Sequence, residues 1–208
     1  MKIYGIFLMF RRFGWIHEIL KFMLSPGFML WGGVSTRGLI PKDEPIFVEE
    51  FLQTCGLKRG DKKAMNSDRY MKMLEDIEEP TVKETFGDTT PVWQDDCATI
   101  HHSKKTLKFV ETLFEERIPV EIQAKKLDEV YPVENVWGIF YEKLRFSKVR
   151  TLPGLREKIC EIWRCINAEM CKRMIYSMPL RLKEVIKKKG HRIGKFDSKK
   201  LDDVIVKK

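Results

Sequence analysis

The chain has 208 residues, of which 43% are apolar and 33% are charged. This size and composition permit a folded core and exclude a collagen, a disulfide-stabilised miniprotein and a wholly disordered chain. The formal net charge is +9, and residues 181–208 supply most of it with eleven Lys or Arg against four Asp or Glu. A basic segment of this kind indicates a polyanionic partner, with nucleic acid first and an anionic membrane second.

The longest apolar run lies at the start of the chain. It covers residues 3–10, which is too short for a membrane-spanning helix of about 20 residues. A signal peptide is also disfavoured, because Arg11 and Arg12 follow the run and no small-residue cleavage site comes after them. We therefore predict a buried strand at 3–10 and no membrane partner.

Five apolar runs have the length and composition of strands, and they cover residues 3–10, 28–35, 37–50, 89–95 and 118–122. Within the second run, Gly32-Gly33 indicates a bulge or a close approach of the backbone to a neighbour. The two prolines of the third run favour a position at the edge of the sheet.

Apolar residues at helical spacing predict helices between and after the later strands. Asn66 and Ser103 are the predicted N-caps of two helices, and Pro132 and Pro153 stand in the first turns of two more. Pro80 is expected to end the helix that begins at Asn66. Hairpin-linked strands followed by alternating helices and strands predict a mixed sheet with helices on both faces.

Two short segments carry residues that could do chemistry. The first is VWQDDCATIH, in which a strand delivers Asp96 at its end and His101 follows. The second is YPVENVWG, which places Glu134 in the first turn of a helix, where the helix dipole favours an ionised carboxylate. If the fold brings Asp96 and Glu134 together, they could share Mg²⁺, which prefers carboxylate oxygen. Acids at strand ends and helix starts are common, so a purely structural role stays open on spacing alone.

These segments resemble motifs of the mariner/Tc-type DDE transposases. VWQDDCATIH is similar to the QQDNAPxH segment of that family, and YPVENVWG is similar to its NPIENLWG segment. FMLWGG at 28–33 and NSDRYMKML at 66–74 resemble the VMVWGC strand and the tserYlevL helix of the family. The four matches follow one another in the family's order, within residues 24–190.

The resemblance implies an RNase H-like fold. This is an α/β architecture with a mixed five-stranded sheet, helices on both faces and extra C-terminal helices. It also implies three parts, which are a divergent N-terminal segment at 1–23 with a possible first strand, the transposase domain at 24–170, and a basic C-terminal helix and tail at 171–208.

The resemblance further implies a site in which three carboxylates hold two Mg²⁺ or Mn²⁺ ions for DNA strand cleavage and transfer. Asp96 matches the second carboxylate and Glu134 the third, so both are expected to be catalytic residues and metal ligands. Asp95 stands where the family has Gln, and we interpret it as a neighbour of the site. His101 matches the family's histidine, with an orienting role or a neutral place in the core as the two alternatives.

The first carboxylate of the family has no counterpart. Residues 1–42 contain no Asp and a single acid, Glu18, while Arg11-Arg12 stand where the strand at 3–10 would end. The helix-turn-helix domains of the family are also missing from this sequence. Three hypotheses follow: an active transposase domain, an inactive transposon-derived protein that binds nucleic acid, and a remnant without function. We expect transposase ancestry without present activity.

The expected partner is DNA, bound without sequence preference through the basic C-terminal region. A homodimer is possible, and a nuclear location is expected. The run Lys187-Lys188-Lys189 could contact phosphates, end a helix as solvated lysines, or act in nuclear import.

Overall fold

The computed structural model describes residues 5–14, 27–57, 61–62, 64–89, 91–96, 98–123 and 130–194, with the backbone alone at residues 5–14, 27 and 120. Within them lie six strands and seven α-helices. The strands are β1 (Gly5–Gly14), β2 (Gly27–Ser35), β3 (Gly38–Ile40), β4 (Ile46–Phe47), β5 (Val92–Gln94) and β6 (Glu116–Arg117). The helices are α1 (Val48–Thr54), α2 (Ser67–Met73), α3 (Glu79–Phe86), α4 (Lys104–Leu113), α5 (Pro132–Arg145), α6 (Leu152–Arg164) and α7 (Ala168–Lys187).

The six strands belong to one sheet, in which β1 is the central strand. The order is β3-β2-β1-β5-β6, and β4 pairs with β2 outside this path. β1 is antiparallel to β2 and parallel to β5, and β5 is parallel to β6. Residues 5–7 pair with residues 92–94, so the first predicted strand lies beside the fourth.

The predicted count of five strands is wrong, because the third apolar run does not form one strand. Pro41 and Pro45 lack the amide hydrogen that a strand ladder requires. The run at 37–50 therefore forms β3 and β4 as two short strands against β2. Its last residues belong to helix α1, which begins at Val48.

The fifth predicted strand, at 118–122, is also misplaced. The strand is β6, which ends before this segment begins. The N–H of Ile118 still donates to the carbonyl of Trp93 at 2.9 Å, but Pro119 has no N–H to continue the pairing. A single 3₁₀ turn at Val120–Ile122 follows instead.

Alternate residues of β2 belong to two separate cores. Leu30 and Val34 pack among side chains of α5, α6 and α7, whereas Trp31 packs among side chains of α1 to α4. All three side chains are fully buried. Because successive residues of a strand point to opposite faces, helices cover both faces of the sheet, as the sequence predicted.

Pro80 does not end the helix that begins after Asn66, contrary to expectation. The Asn66 side chain accepts the N–H of Arg69 at 2.9 Å and caps α2 as predicted. A π-helical turn at Leu74–Glu78 then joins α2 to α3, and Pro80 lies in the first turn of α3. A proline is tolerated there because the first N–H groups of a helix need no intrahelical acceptor. Burial raises the pKa of the Glu78 carboxyl in this turn well above its usual value, which favours the uncharged acid.

The later helices agree with the sequence patterns. Ser103 caps α4 by accepting the N–H of Thr106 at 3.2 Å, and a proline lies in the first turn of both α5 and α6. None of the helices in the described residues is both long and apolar enough to cross a membrane. The boundary predicted at 170/171 falls inside α7, and residues 195–208 of the basic tail lie outside the described residues, so the division into three parts stays a prediction.

The close approach expected at Gly32-Gly33 is seen at Gly32. A Cβ atom at this position would overlap the six-membered ring of Trp163. The indole cannot retreat easily, because Trp163 is 1% exposed and its Nε1 donates to the carbonyl of Pro41 at 2.8 Å. Gly32 therefore lets α6 pack directly on the middle of the sheet.

Replacing Gly32 with Ala should destabilise the fold by about 1–3 kcal/mol, the usual range for overpacking a filled core. The matched control is Gly138→Ala in α5, where an added Cβ would meet nothing within 4 Å. That control should stabilise the chain by about 0.5–1 kcal/mol, because alanine favours a helix over glycine. Urea unfolding of both variants measures the effects, and equal midpoints for Gly32→Ala and the parent would contradict this packing.

Candidate active site

Asp96 is the second residue after the end of β5 and begins a tight turn. Its Oδ1 accepts the N–H of Ala98 at 2.9 Å, and the N–H of His101 donates to the Ala98 carbonyl at 3.0 Å. The Asp96 side chain is 18% exposed. The turn therefore holds one carboxylate oxygen by hydrogen bonds while part of the group still reaches the surface.

His101 touches the same carboxylate. Its Nδ1 lies 2.6 Å from Oδ1 of Asp96. The imidazole is fully buried, and its ring centroid lies 4.2 Å from that of Tyr70. The ring therefore lies in the core and contacts Asp96, and the choice between the two roles predicted for His101 stays a prediction.

Tyr70 stays an uncharged phenol beside this pair. Burial raises the pKa of Tyr70 well above its usual value, and the nearby carboxylates of Asp95, Glu78 and Asp96 raise it further. A buried phenolate so close to these acids would be unfavourable. The Tyr70 ring therefore serves as a neutral surface on which the His101 ring packs.

Asp95 is held by a buried salt bridge. Both of its carboxylate oxygens lie 2.8 Å from one guanidinium nitrogen of Arg117. The Asp95 side chain is fully buried and that of Arg117 is 9% exposed. The Asp95 carboxylate is thus paired with a cation inside the protein, which leaves Asp96 as the acid of the pair that can face a ligand.

The sequence did not reveal Arg117 as part of this site. The strand there is predicted to begin at residue 118, so Arg117 falls just outside it. One physical signal was available, because an acid at the end of a buried strand needs a cation nearby. Arg117 is the cation nearest the start of the strand predicted next along the chain.

Glu134 lies in the first turn of α5, as predicted. Pro132 is in that turn as well, and the Glu134 N–H donates to the carbonyl of Tyr131 at 3.1 Å. The side chain is partly buried. Helix α5 packs against β1 and β2, and β1 is the strand that pairs with β5. Asp96 and Glu134 therefore flank the same central strand, and their approach within metal-sharing distance stays a prediction.

The central strand supplies no third acid. Residues 5–14 contain no Asp or Glu, and continuing the register of β1 and β5 by two residues sets Met9 beside Asp96. Among the described residues, no three His, Cys, Asp or Glu cluster so that they could hold a metal ion. Asp96 and Glu134 alone do not fit a site for two divalent ions, which requires more negative charge than two carboxylates carry.

One relative by sequence is the Tc3 transposase of a transposable element in Caenorhabditis elegans. It is 28% identical over 133 residues, which cover 62% of this chain and 39% of that protein. The chain thus spans less than half the length of this relative. No protein-family model matches the chain.

Solved structures of the Mos1 mariner transposase have a similar fold. Its catalytic domain aligns with a TM-score of 0.69 at 14% identity, covering 92% of this chain and 84% of that chain. The same domain with raltegravir and Mn gives a TM-score of 0.70 at 14% identity, with coverage of 92% and 85%. The Mos1 paired-end complex with the left transposon end gives 0.70 at 13% identity, with coverage of 92% and 56%.

The resemblance that the sequence motifs predicted is therefore confirmed. The chain is similar in sequence to the Tc3 transposase over 133 residues and in fold to the Mos1 catalytic domain. The mixed α/β fold of the chain also matches that of the Mos1 catalytic domain.

Replacing Arg117 with Met should lower the free energy of unfolding by about 3–5 kcal/mol, because it leaves the Asp95 carboxylate buried without a partner. Adding Asp95→Leu to this variant should recover most of the loss, since removing both charges is often neutral. Arg164→Met, at an exposed position, is the control and should change stability by less than about 0.5 kcal/mol. Urea unfolding measures all three. An Arg117→Met variant as stable as the control would show that the salt bridge does not support the site.

Proposed function

We propose that this chain is a transposase-derived domain that binds DNA but does not cleave it, because its set of catalytic carboxylates is incomplete. The proposal includes an RNase H-like fold class. The order β3-β2-β1-β5-β6 supports that class, together with the parallel pairing of β1, β5 and β6. The similarity to the Tc3 and Mos1 transposases supports DNA as the partner.

The observation that carries this proposal is the register of the central strand. β1 occupies the place beside β5, and the position next to Asp96 in the continued register is Met9. Two carboxylates cannot balance the charge of two divalent ions or spread the charge that develops on a reacting phosphate. Loss of one transition-state stabiliser commonly costs about 10²–10³ in rate, and loss of a metal ion costs an essential part of the mechanism.

The other residues around Asp96 support the proposal of an incomplete catalytic site. His101 holds the Asp96 carboxylate by the 2.6 Å contact to Oδ1, and the Asp95–Arg117 salt bridge fixes the strand end beneath it. A divalent ion, when bound to Asp96 and Glu134, would supply Lewis-acid chemistry at a phosphate. The part of this chain in that chemistry is to present two acids and to hold the Asp96 carboxylate in one orientation.

An active nuclease is the second candidate function. The contact between His101 and Asp96 favours an active nuclease, because a metal ligand needs a carboxylate that is held in one orientation. In that case the third carboxylate would come from a residue outside the described segments or from another chain. The site would then be completed in an assembly, such as the homodimer that the sequence leaves possible.

Further aspects of this proposal concern location and assembly. We propose a nuclear location, which agrees with DNA as the partner, and Lys187-Lys188-Lys189 at the end of α7 is the candidate import signal. We retain the three-part division at 1–23, 24–170 and 171–208. Transposition as a whole would require domains beyond the part of the Tc3 protein that the chain matches.

The purified chain should not nick a supercoiled plasmid in Mg²⁺ or Mn²⁺, since Asp96 and Glu134 alone do not make a two-metal site. An Asp96→Asn variant is the control for contaminating nucleases. Nicking by the parent chain that disappears in this variant would contradict the proposal and would establish the active nuclease instead. Equal background in both preparations supports the inactive domain.

DNA binding should be independent of sequence and should weaken steeply as salt rises. The reason is that Lys and Arg contacts to phosphate position a protein without reading bases, and each neutralised phosphate of duplex DNA contributes about −0.9 to the slope of log K against log salt. Fluorescence anisotropy with two duplexes of unrelated sequence measures both features. Affinity that differs more than about tenfold between the duplexes, or that ignores salt, would refute this expectation.

A further inference from the structure

The connection between α5 and α6 carries an unusual concentration of positive charge. Lys143, Arg145, Lys148 and Arg150 are all exposed, and Phe146 lies among them with 76% of its surface exposed. No acid occurs from residue 143 to residue 156. These five residues are called the α5–α6 patch below.

The backbone beneath the patch is fixed, so its side chains have a defined direction. The Ser147 hydroxyl donates to the carbonyl of Leu144 at 2.8 Å at the end of α5. Val149 packs against the core, and the Thr151 hydroxyl caps α6 by accepting the N–H of Gly154 at 3.2 Å. Residues 147, 149 and 151 anchor the segment, while the alternate residues 146, 148 and 150 point outward.

The cations of the patch differ from many other exposed cations of the protein. Lys72, Lys83 and Lys158 pair with carboxylates on their own helices. In the part of the chain that the structure describes, the four patch cations form no hydrogen bond or ion pair with protein groups. The dipole at the C-terminus of α5 accounts for cations in its last turn, but Lys148 and Arg150 lie beyond the helix.

Phe146 adds a second, independent feature. The guanidinium of Arg145 lies 5.7 Å from its ring centroid, and most of the ring remains open to solvent. The ring also borders a groove of about 480 Å³ between α5 and α6, lined in part by Ile139 and Ile162. The rim of this groove carries Glu142, Glu161 and two lysines, so acids and cations are balanced there.

From these observations we propose that the α5–α6 patch binds single-stranded nucleic acid, with a base stacked on Phe146 and phosphates on the four cations. Proteins bind single strands with an exposed aromatic ring beside cations that have no carboxylate partner. A base can stack on such a ring only when it is not paired with a second strand. A duplex would meet the cations and leave Phe146 without a base. This inference rests on the proposed function, since it specifies which form of DNA the domain holds beside the site.

The position of the patch agrees with this partner. Glu134 and Arg145 are eleven residues apart on α5, which is about 16 Å along a helix. At about 3.4 Å per nucleotide in a stacked strand, that distance corresponds to roughly five nucleotides. One strand could therefore pass from the candidate active site to the patch along a single helix.

The first experiment measures binding of fluorescein-labelled oligo(dT), and of a duplex of equal length, by anisotropy over a range of salt. The variant Lys143→Gln, Arg145→Gln, Lys148→Gln and Arg150→Gln should reduce the salt slope for oligo(dT) by about 3, since each lost phosphate contact removes about 0.7. The matched control has the same charge loss at four exposed lysines elsewhere, Lys42, Lys72, Lys83 and Lys172. The control should keep most of the slope, and an equal effect of both variants would overturn the proposal.

The second experiment tests the aromatic residue. Phe146→Ala should weaken oligo(dT) binding about tenfold, within the range for loss of one base-stacking residue, and should leave duplex binding unchanged. Tyr176→Ala, which removes an aromatic ring 41% exposed on α7, is the control and should change neither. Circular dichroism checks that each variant is folded.

The outcomes separate this inference from the proposed function. A parent chain that binds neither DNA form would overturn both. If the parent chain binds DNA and neither Phe146→Ala nor the four-cation variant changes that binding, the inference alone is overturned. The C-terminal region then becomes the proposed interface. A loss confined to oligo(dT) in Phe146→Ala supports the single strand as the partner.

Discussion

The parallel pairing of β1 with β5 is the constraint on which the rest of the structure depends. β1 is hydrogen-bonded on both edges, to β2 and to β5, and the two cores lie on the two faces of the sheet that it centres. The pairing brings the end of β5 to the middle of the sheet, where Asp96 leaves the strand. No acid of β1 accompanies Asp96 there, because residues 5–14 contain no Asp or Glu.

The two adjacent aspartates, Asp95 and Asp96, differ in burial and in their charged partners. Asp95 points into the protein and would be prohibitively costly as a charge without Arg117. Asp96, one residue later, stays partly exposed and lies beside His101. The first carboxylate thus has a buried structural partner, and the second is the one that a ligand can reach. In β2, Gly32 faces Trp163, which sets how closely α6 approaches that strand.

Much of this arrangement could be predicted from the sequence, and the failures have physical causes. Caps such as Asn66 and Ser103 are local, so the helix starts were found correctly. Three prolines had effects that the sequence patterns did not predict, because the effect of a proline depends on its context. Pro80 is tolerated after a π-helical turn, whereas Pro41 and Pro45 divide a predicted strand in two. The Asp95–Arg117 salt bridge joins residues 22 positions apart. A contact of this kind follows only from the strand order, which the local sequence does not specify.

The number of divalent ions that the folded chain binds tests the central claim most directly, because it depends on the carboxylates and not on DNA. Mn²⁺ binding can be measured by electron paramagnetic resonance in the parent chain and in Glu134→Gln. The account predicts at most one weakly bound ion per chain, and its loss in the variant. Two tightly bound ions per chain would contradict it, since they would require a third carboxylate beside Asp96 and Glu134.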